Sequence, residues 1–342
     1  DSNWDPDFPK SAVKAEWFLD KEIDQIVDGT IAIDLELAKE ILEITGPIYL
    51  SDFGRKVDHL NLYEVTQSEV EENFFPGSRK KSNFLTALSR EMINTLSSRL
   101  KNNEVGIVVS FIKALEQRHI QIFMHKNSVQ EAVSKFGYEG AVKVPYCKGN
   151  CYHDFVSFVD ANVGVNKANY FIKRSVFLNI IFNGKDVRRS LKIMYENNAN
   201  PVLGEKAKYK TYVRALAKKE VNFGDVRIST TGEQDVKKPD INLIDDYKEA
   251  GIFLQINPGQ TKAVEFVWSN SLEENIDFYQ RGEFGVFFRK QAGLVDDYLS
   301  INLKLPNSAR VFKNSLFTLT NEGNYVYNTL LTRDTFPLIY CY

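Results

Sequence analysis

Near residue 140 the hydrophobic pattern of this 342-residue chain changes, and that change limits the folds open to it. Before it, apolar residues recur at the three-to-four spacing of a helix, interrupted by short β-rich runs. After it they alternate, in short runs broken by Gly, Asn, Pro and Asp. A chain of this length has room for two domains of roughly 100–200 residues each. The pattern therefore predicts an α+β protein of two domains: a layered α/β domain over residues 1–140 and an antiparallel β-sandwich over residues 141–342.

In the first part, "PKSAVKAEWFLDKE" opens with Pro9 near a helix N-terminus and sets Val13, Trp17 and Phe18 at helical spacing. "DGTIAIDL" is a short β-rich run. "LELAKEILEITG" is amphipathic through Leu37, Ile41, Leu42 and Ile44 and stops at Gly46. "PIYL" resumes a strand, and the polar stretch 51–78 has no assignable period. A helical stripe follows, formed by Leu85, Leu88, Met92, Leu96 and Leu100, and "NEVGIVVSFIKALEQ" is another helix. "HIQIFMH" alternates as a strand. "SVQEAVSKFG" is a helix with Ser128 as its cap and Gly137 as its stop.

In the second part, "DFVSFVDANVG", "YFIKRSVFLNIIFNG", "VRRSLKIMYENN", "KYKTYVRALAKK", "GIFLQINPGQ", "KAVEFVWSN", "FGVFFRKQAG", "YLSINLKLP" and "FTLTNEGNYV" read as strands. The charged, weakly periodic residues near 229–250 read as a long surface connection within the sandwich.

Charge excludes one class of partner. Lys and Arg number 43 against 45 Asp and Glu, so the net charge is −2 and no basic excess points to nucleic acid or an anionic membrane surface. No apolar run reaches the roughly 20 residues that span a bilayer. Of the cysteines Cys147, Cys151 and Cys341, the first two sit in "PYCKGNCYHD" around a Gly-containing tip. In an oxidising compartment they close a small disulfide loop, the favoured reading. In the cytosol they are two thiols or half of a metal site, with His153 the one further ligand in view.

Several other groupings could carry chemistry. In "DSNWDPDFPKSA" the oxygen side chains of Asp1, Asn3, Asp5 and Asp7 alternate as in calcium loops. A divalent cation, Mg²⁺ or Ca²⁺, is the one candidate cofactor. An EF-hand would need Gly and Glu where Pro6 and Ala12 stand, and the alternative is a helix cap by Asp7 or Ser11 above packed Trp4 and Phe8. Arg79, Lys80 and Lys81 stand at a helix N-terminus, where an anion could be clamped, or are a solvated turn. Asp160, Asn162, Asn166 and Lys167 in "DANVGVNKAN" could line a ligand site or knit a bulged turn. His119 and His125 stand ~20 Å apart if they share a strand, too far to share a metal. The sequence contains no catalytic motif among those of the serine hydrolases, β-lactamases or zinc peptidases.

Taken in order, "DSNWDPDFPKSA", "DGTIAIDLELAKEILEITGPI", "ALEQRHIQIFMHKNSVQEAVSKFGYEGAV", "VDANVGVNKANYFIKR", "YENNANP" and "FRKQAGL" resemble the bacterial family called domain of unknown function 4012. The resemblance implies a protein displayed outside the cell and anchored in the membrane through a segment N-terminal to these residues. It also implies that the chain starts inside its α/β domain, which then lacks its first strands: either the sequence is cut there, or the precursor is cleaved just before Asp1 and, in that second case, its upstream fragment stays docked. That half is similar in topology to the LytR-CpsA-Psr phosphotransferases, whose spaced arginine pair followed by Gln is not reproduced around Arg79. Two functions follow as expectations. One is a non-catalytic role at the cell envelope, in binding, adhesion or surface assembly, with an envelope polymer or other surface proteins as partners. The alternative is transfer of a glycopolymer from a polyprenyl-pyrophosphate carrier.

Overall fold

The computed structural model describes residues 3–71, 80–99, 104–164, 166, 168–272, 281–306 and 309–341. The chain divides into two compact units, residues 1–141 and 142–342.

The first unit is mainly helical. Helix α1 (Phe8–Ile23) starts where Asp7 accepts a hydrogen bond from the Lys10 amide at 3.4 Å, with Pro9 in its first turn, and ends at Asp24 in the left-handed region. Its buried positions are Phe8, Ser11 and Ala12. Val13, Trp17 and Phe18 lie on the helix that their spacing predicts and are exposed. Helix α2 (Leu35–Thr45) is capped by Asp34, which accepts from the amides of Glu36 and Leu37 at 3.0 and 3.2 Å. It ends at Gly46 with φ +76°. The stretch without a readable period supplies strand β3 (Arg55–Val57) and helix α3 (Leu62–Glu71). Helices α4 (Lys80–Arg99) and α5 (Glu104–Glu116) follow. Helix α6 (Asn127–Lys135) begins one residue before Ser128, so that serine is not its cap.

Among the described residues, the strands of this unit form two separate two-stranded ribbons and not one layered sheet. β1 (Gly29–Ile33) pairs antiparallel with β4 (Ile120–Met124), and β2 (Ile48–Leu50) pairs antiparallel with β3. The core lies between helices and ribbons: Leu37, Ile41 and Leu42 of α2 meet Ile48, Leu50 and Val57 of the ribbon and Phe84, Leu88 and Met92 of α4. Of the expected α4 stripe, Leu88 and Met92 are buried and Leu85 and Leu96 pack partly buried against the same cluster, while Leu100 lies outside the described residues; Phe84 widens the stripe, because a helix of 3.6 residues per turn buries adjacent rows and not a single file.

The second unit is a two-sheet sandwich. Strands β5 (Cys151–Asn162), β8 (Tyr209–Lys218), β12 (Asp240–Ile244), β13 (Tyr247–Ile256), β15 (Gly282–Arg289), β17 (Val311–Ser315) and β20 (Leu338–Cys341) form one sheet, ordered β12-β13-β8-β5-β15-β20-β17. The other contains β6 (Ile172–Asn183), β7 (Asp186–Asn197), β9 (Asn222–Phe223), β10 (Val226–Thr230), β11 (Glu233–Lys237), β14 (Thr261–Ser271), β16 (Asp297–Lys304), β18 (Thr318–Leu319) and β19 (Tyr325–Leu331). It is ordered β11-β10-β14-β7-β6-β16-β19-β18, with β9 beside β14. Val156 and Phe158 of one sheet interleave with Val176, Leu178, Leu191 and Ile193 of the other in a single buried cluster. Alternating burial along β6 and β7 follows from the two-residue pleat.

Two sequence expectations need correction. The sandwich is not wholly antiparallel, because β15 runs parallel to β5 and β16 parallel to β6. The proposed surface connection over 229–250 is instead strand: the end of β10, then β11, β12 and the start of β13. The fully exposed β11 shows no apolar alternation to read, since edge strands are held by backbone pairing more than by a buried face. Gly232 (φ +84°) makes the β10–β11 turn.

Candidate functional site

The chain immediately before β5 folds back on itself. Gly149, at φ +94°, turns it, and the Cys151 amide donates to the Gly149 carbonyl at 2.9 Å. Cys147 and Cys151 are joined as a disulfide. Because β5 and β15 are parallel, Cys151 is the register partner of Glu283, and Gly285 that of His153. Residues two apart share a face of a sheet, so Cys151, His153 and Glu283 project together. His153 Nε2 contacts Glu283 Oε1. Among the described residues, one group offers three metal-ligating atoms at close range: Cys147, His153 and Glu283, all within 4.8 Å of one another.

Beside this cluster lies a pocket of about 360 Å³ lined by Tyr146, both cysteines, Tyr152, His153, Lys218, Glu220, Asn222, Asn270 and Ser271. Its floor is well ordered by packing. Tyr152 stacks on Phe284 with ring centroids 6.2 Å apart, and Lys218 Nζ sits 4.5 Å above the Tyr152 ring. Burial drives the Tyr152 hydroxyl pKa well up, with the Asp154 charge adding to it. Burial also lowers the Lys218 ammonium pKa, opposed by Asp154 and Glu220. Below, Arg189 donates to Asp154 at 2.7 Å, both side chains fully buried. By contrast, Tyr146 at the rim is 80% exposed. The pocket therefore offers one open aromatic face and several donors and acceptors.

The residues singled out in the sequence are disposed differently. Asp5 accepts from the Asp7 amide at 2.9 Å and Asp7 caps α1, so both carboxylates serve the start of that helix. Asp1, the first residue of that group, lies outside the described residues. Arg79 and Lys167 also lie outside them, as do the side chains of Lys80 and Lys81. Asp160 is buried, accepting from Arg174 Nε and from the Tyr195 hydroxyl, each at 2.6 Å. Asn162 donates to the Asn166 carbonyl at 2.7 Å and accepts from the Gly164 amide at 3.0 Å; Asn166 donates to the Lys208 carbonyl at 2.8 Å. These bonds knit the turn after β5. His119 and His125 bracket β4 and bond to separate carboxylates, Asp34 at 2.7 Å and Glu16 at 2.8 Å.

Reasoning along the sequence found three walls of the cluster, Cys147, Cys151 and His153, and missed the fourth. Glu283 is 130 residues from His153, and only the parallel pairing of β5 with β15 brings them together. No local period encodes that pairing.

The profile of a family described as a protein of unknown function, DUF4012, matches residues 1–70. No curated protein matches the chain. Among solved structures, a Legionella pneumophila subsp. pneumophila protein provisionally described as nutrient binding aligns with a TM-score of 0.34 and 8% identity, over 54% of this chain and 70% of its own.

Proposed function

We propose that this chain is an extracellular, non-catalytic module of the bacterial cell envelope that binds an envelope polymer in the pocket beside the Cys147–Cys151 disulfide. The observation that carries the reading is that pocket: an exposed Tyr146 ring next to Glu220, Asn222, Asn270 and Ser271. An aromatic face with flanking hydrogen-bonding groups suits the apolar face and hydroxyls of a sugar ring. The disulfide supports a location outside the cytoplasm, because thiols there are not held reduced. Display at the surface is through an anchor outside these residues.

The test is co-sedimentation and calorimetric titration with purified wall glycan. Retention of the wild-type chain, reduced about tenfold or more by Tyr146→Ala or Asn222→Ala, supports the reading. Equal retention of all three proteins, or none by any, overturns it. Turnover of a polyprenyl-pyrophosphate-linked glycan with Mg²⁺ would favour the transferase reading instead.

A further inference from the structure

We propose that, when the Cys147–Cys151 bond is reduced, Cys147, Cys151, His153 and Glu283 together bind one zinc ion, which replaces the disulfide as the clamp on this loop. The proposal stands on geometry. Sulfur, nitrogen and oxygen atoms of Cys147, His153 and Glu283 already lie within 4.8 Å of one another. The fourth ligand, Cys151, is covalently tied to the first. A tetrahedral zinc site with bonds of about 2.0–2.3 Å sets its ligand atoms roughly 3.3–3.8 Å apart. The Cys147 sulfur therefore needs to close on the other two atoms by up to about 1 Å, while His153 Nε2 and Glu283 Oε1, now in hydrogen-bond contact, and the two released sulfurs separate into the same range, all within reach of side-chain rotation.

The scaffold suits a closed, structural site. The three-residue spacing between the cysteines falls within that of zinc-binding pairs. Cys151, His153 and Glu283 are held on one sheet face by the β5–β15 register. Glu283 has Tyr340 of β20 as its register partner, and the Phe336 ring packs edge-on against His153 at 4.9 Å. These neighbours restrict the rotamers of the two ligands. Two thiolates with an imidazole select zinc over the hard cations Mg²⁺ and Ca²⁺. The site would carry two thiolates and one carboxylate against the dication, leaving one net negative charge, with Lys218 in the adjoining pocket wall.

The chemistry balances. A dithiol reductant delivers two electrons and two protons to the Cys147–Cys151 bond and becomes a disulfide. Zinc then displaces both thiol protons to solvent, and His153 binds neutral. In the reverse direction two protons from solvent return to the thiolates as zinc leaves, and a disulfide oxidant then takes two electrons and two protons, becoming a dithiol as the Cys147–Cys151 bond closes.

The experiment uses the whole chain, reduced with a phosphine, desalted without oxygen and titrated with Zn²⁺ against a chromophoric chelator. Co²⁺ is the spectroscopic probe. One equivalent of Zn²⁺ in the reduced protein, none in the oxidised protein, and the thiolate-to-cobalt charge-transfer band of a tetrahedral site are expected. His153→Ala and Glu283→Gln each weaken affinity by about tenfold or more, and Cys341→Ala changes nothing. Affinity no greater in reduced wild type than in the oxidised protein overturns the proposal. So does an affinity unchanged by both His153→Ala and Glu283→Gln, since that would mean a bare dithiol. Because reduced and oxidised wild type are compared directly, a variant that fails to fold does not decide the outcome. Glycan retention is a separate readout, so failure of the binding reading leaves this test intact.

Discussion

Asp297 is buried beside Arg174, whose Nη1 lies 4.0 Å from its Oδ1, and burial raises its pKa from 3.8 to about 6 despite that guanidinium, with Asp160 adding to the rise. A carboxyl that holds its proton more tightly when folded stabilises the fold below its unfolded pKa. That contribution is lost as pH rises through its folded pKa. Asp297 therefore favours the native state below about pH 4 and ceases to do so by about pH 6. At 1.36 kcal/mol per pKa unit the whole effect is on the order of a few kcal/mol. Urea denaturation across this window should show a wild-type decline that Asp297→Asn flattens; parallel profiles for the two proteins would refute the assignment. The Arg189–Asp154 pair makes a second prediction at this scale. Both side chains are fully buried and join β7 of one sheet to β5 of the other at 2.7 Å. Removing Asp154 alone strands a buried cation, so Asp154→Ala should cost about 3–5 kcal/mol, while Asp154→Leu with Arg189→Met should cost much less. Denaturant midpoints of the singles and the double decide between this and simple loss of packing.

At the scale of elements, legibility followed burial. Strands β6, β7 and β14, each with one face in the core, announced themselves by alternation. β11, exposed along its whole length, and β12, nearly so, did not. Helix α1 was legible from its spacing alone, although Val13, Trp17 and Phe18, which carry that spacing, are exposed. The site was half legible. Cys147, Cys151 and His153 are local, whereas Glu283 depends on which strand lies beside β5. The parallel neighbours of β5 and β6 come from distant segments, and strand pairing at that range leaves no trace in a window of ten or so residues. The β5–β15 contact also has a sharp steric requirement. A Cβ on Gly285 would lie 2.6 Å from both Leu338 and Phe336 and 3.1 Å from His153. Gly285→Ala should therefore destabilise the sandwich by about 1–3 kcal/mol through overpacking. It should also displace His153, its register partner. Thermal melts, together with the histidine ring resonances in NMR spectra, would register both; an unperturbed His153 in a destabilised variant would separate packing from placement.

For the whole molecule, the change of hydrophobic period near residue 140 corresponds to a physical division of the core. Leu37, Leu42, Phe84 and Met92 belong to one apolar cluster inside residues 1–141, while Val156, Leu178, Leu191 and Phe266 belong to another inside residues 142–342. Each period can bury its apolar face only against elements built to match it, so a chain that switches period builds two cores. The two units also differ in how their strands are assembled. The sandwich closes through pairings such as β5 with β15 and β6 with β16, which join distant parts of the sequence and make slow, cooperative folding units. The helical unit closes its ribbons with short two-stranded pairings that gain stability from the helices packed on them. Residues 142–342 produced alone should therefore keep their far-ultraviolet β signature and one cooperative thermal transition. That transition should coincide with one of two seen by calorimetry in the whole chain. A truncated sandwich that is unfolded, or a whole chain that melts in a single two-state step with an enthalpy matching all 342 residues, would mean that the division in sequence period is not a division in folding.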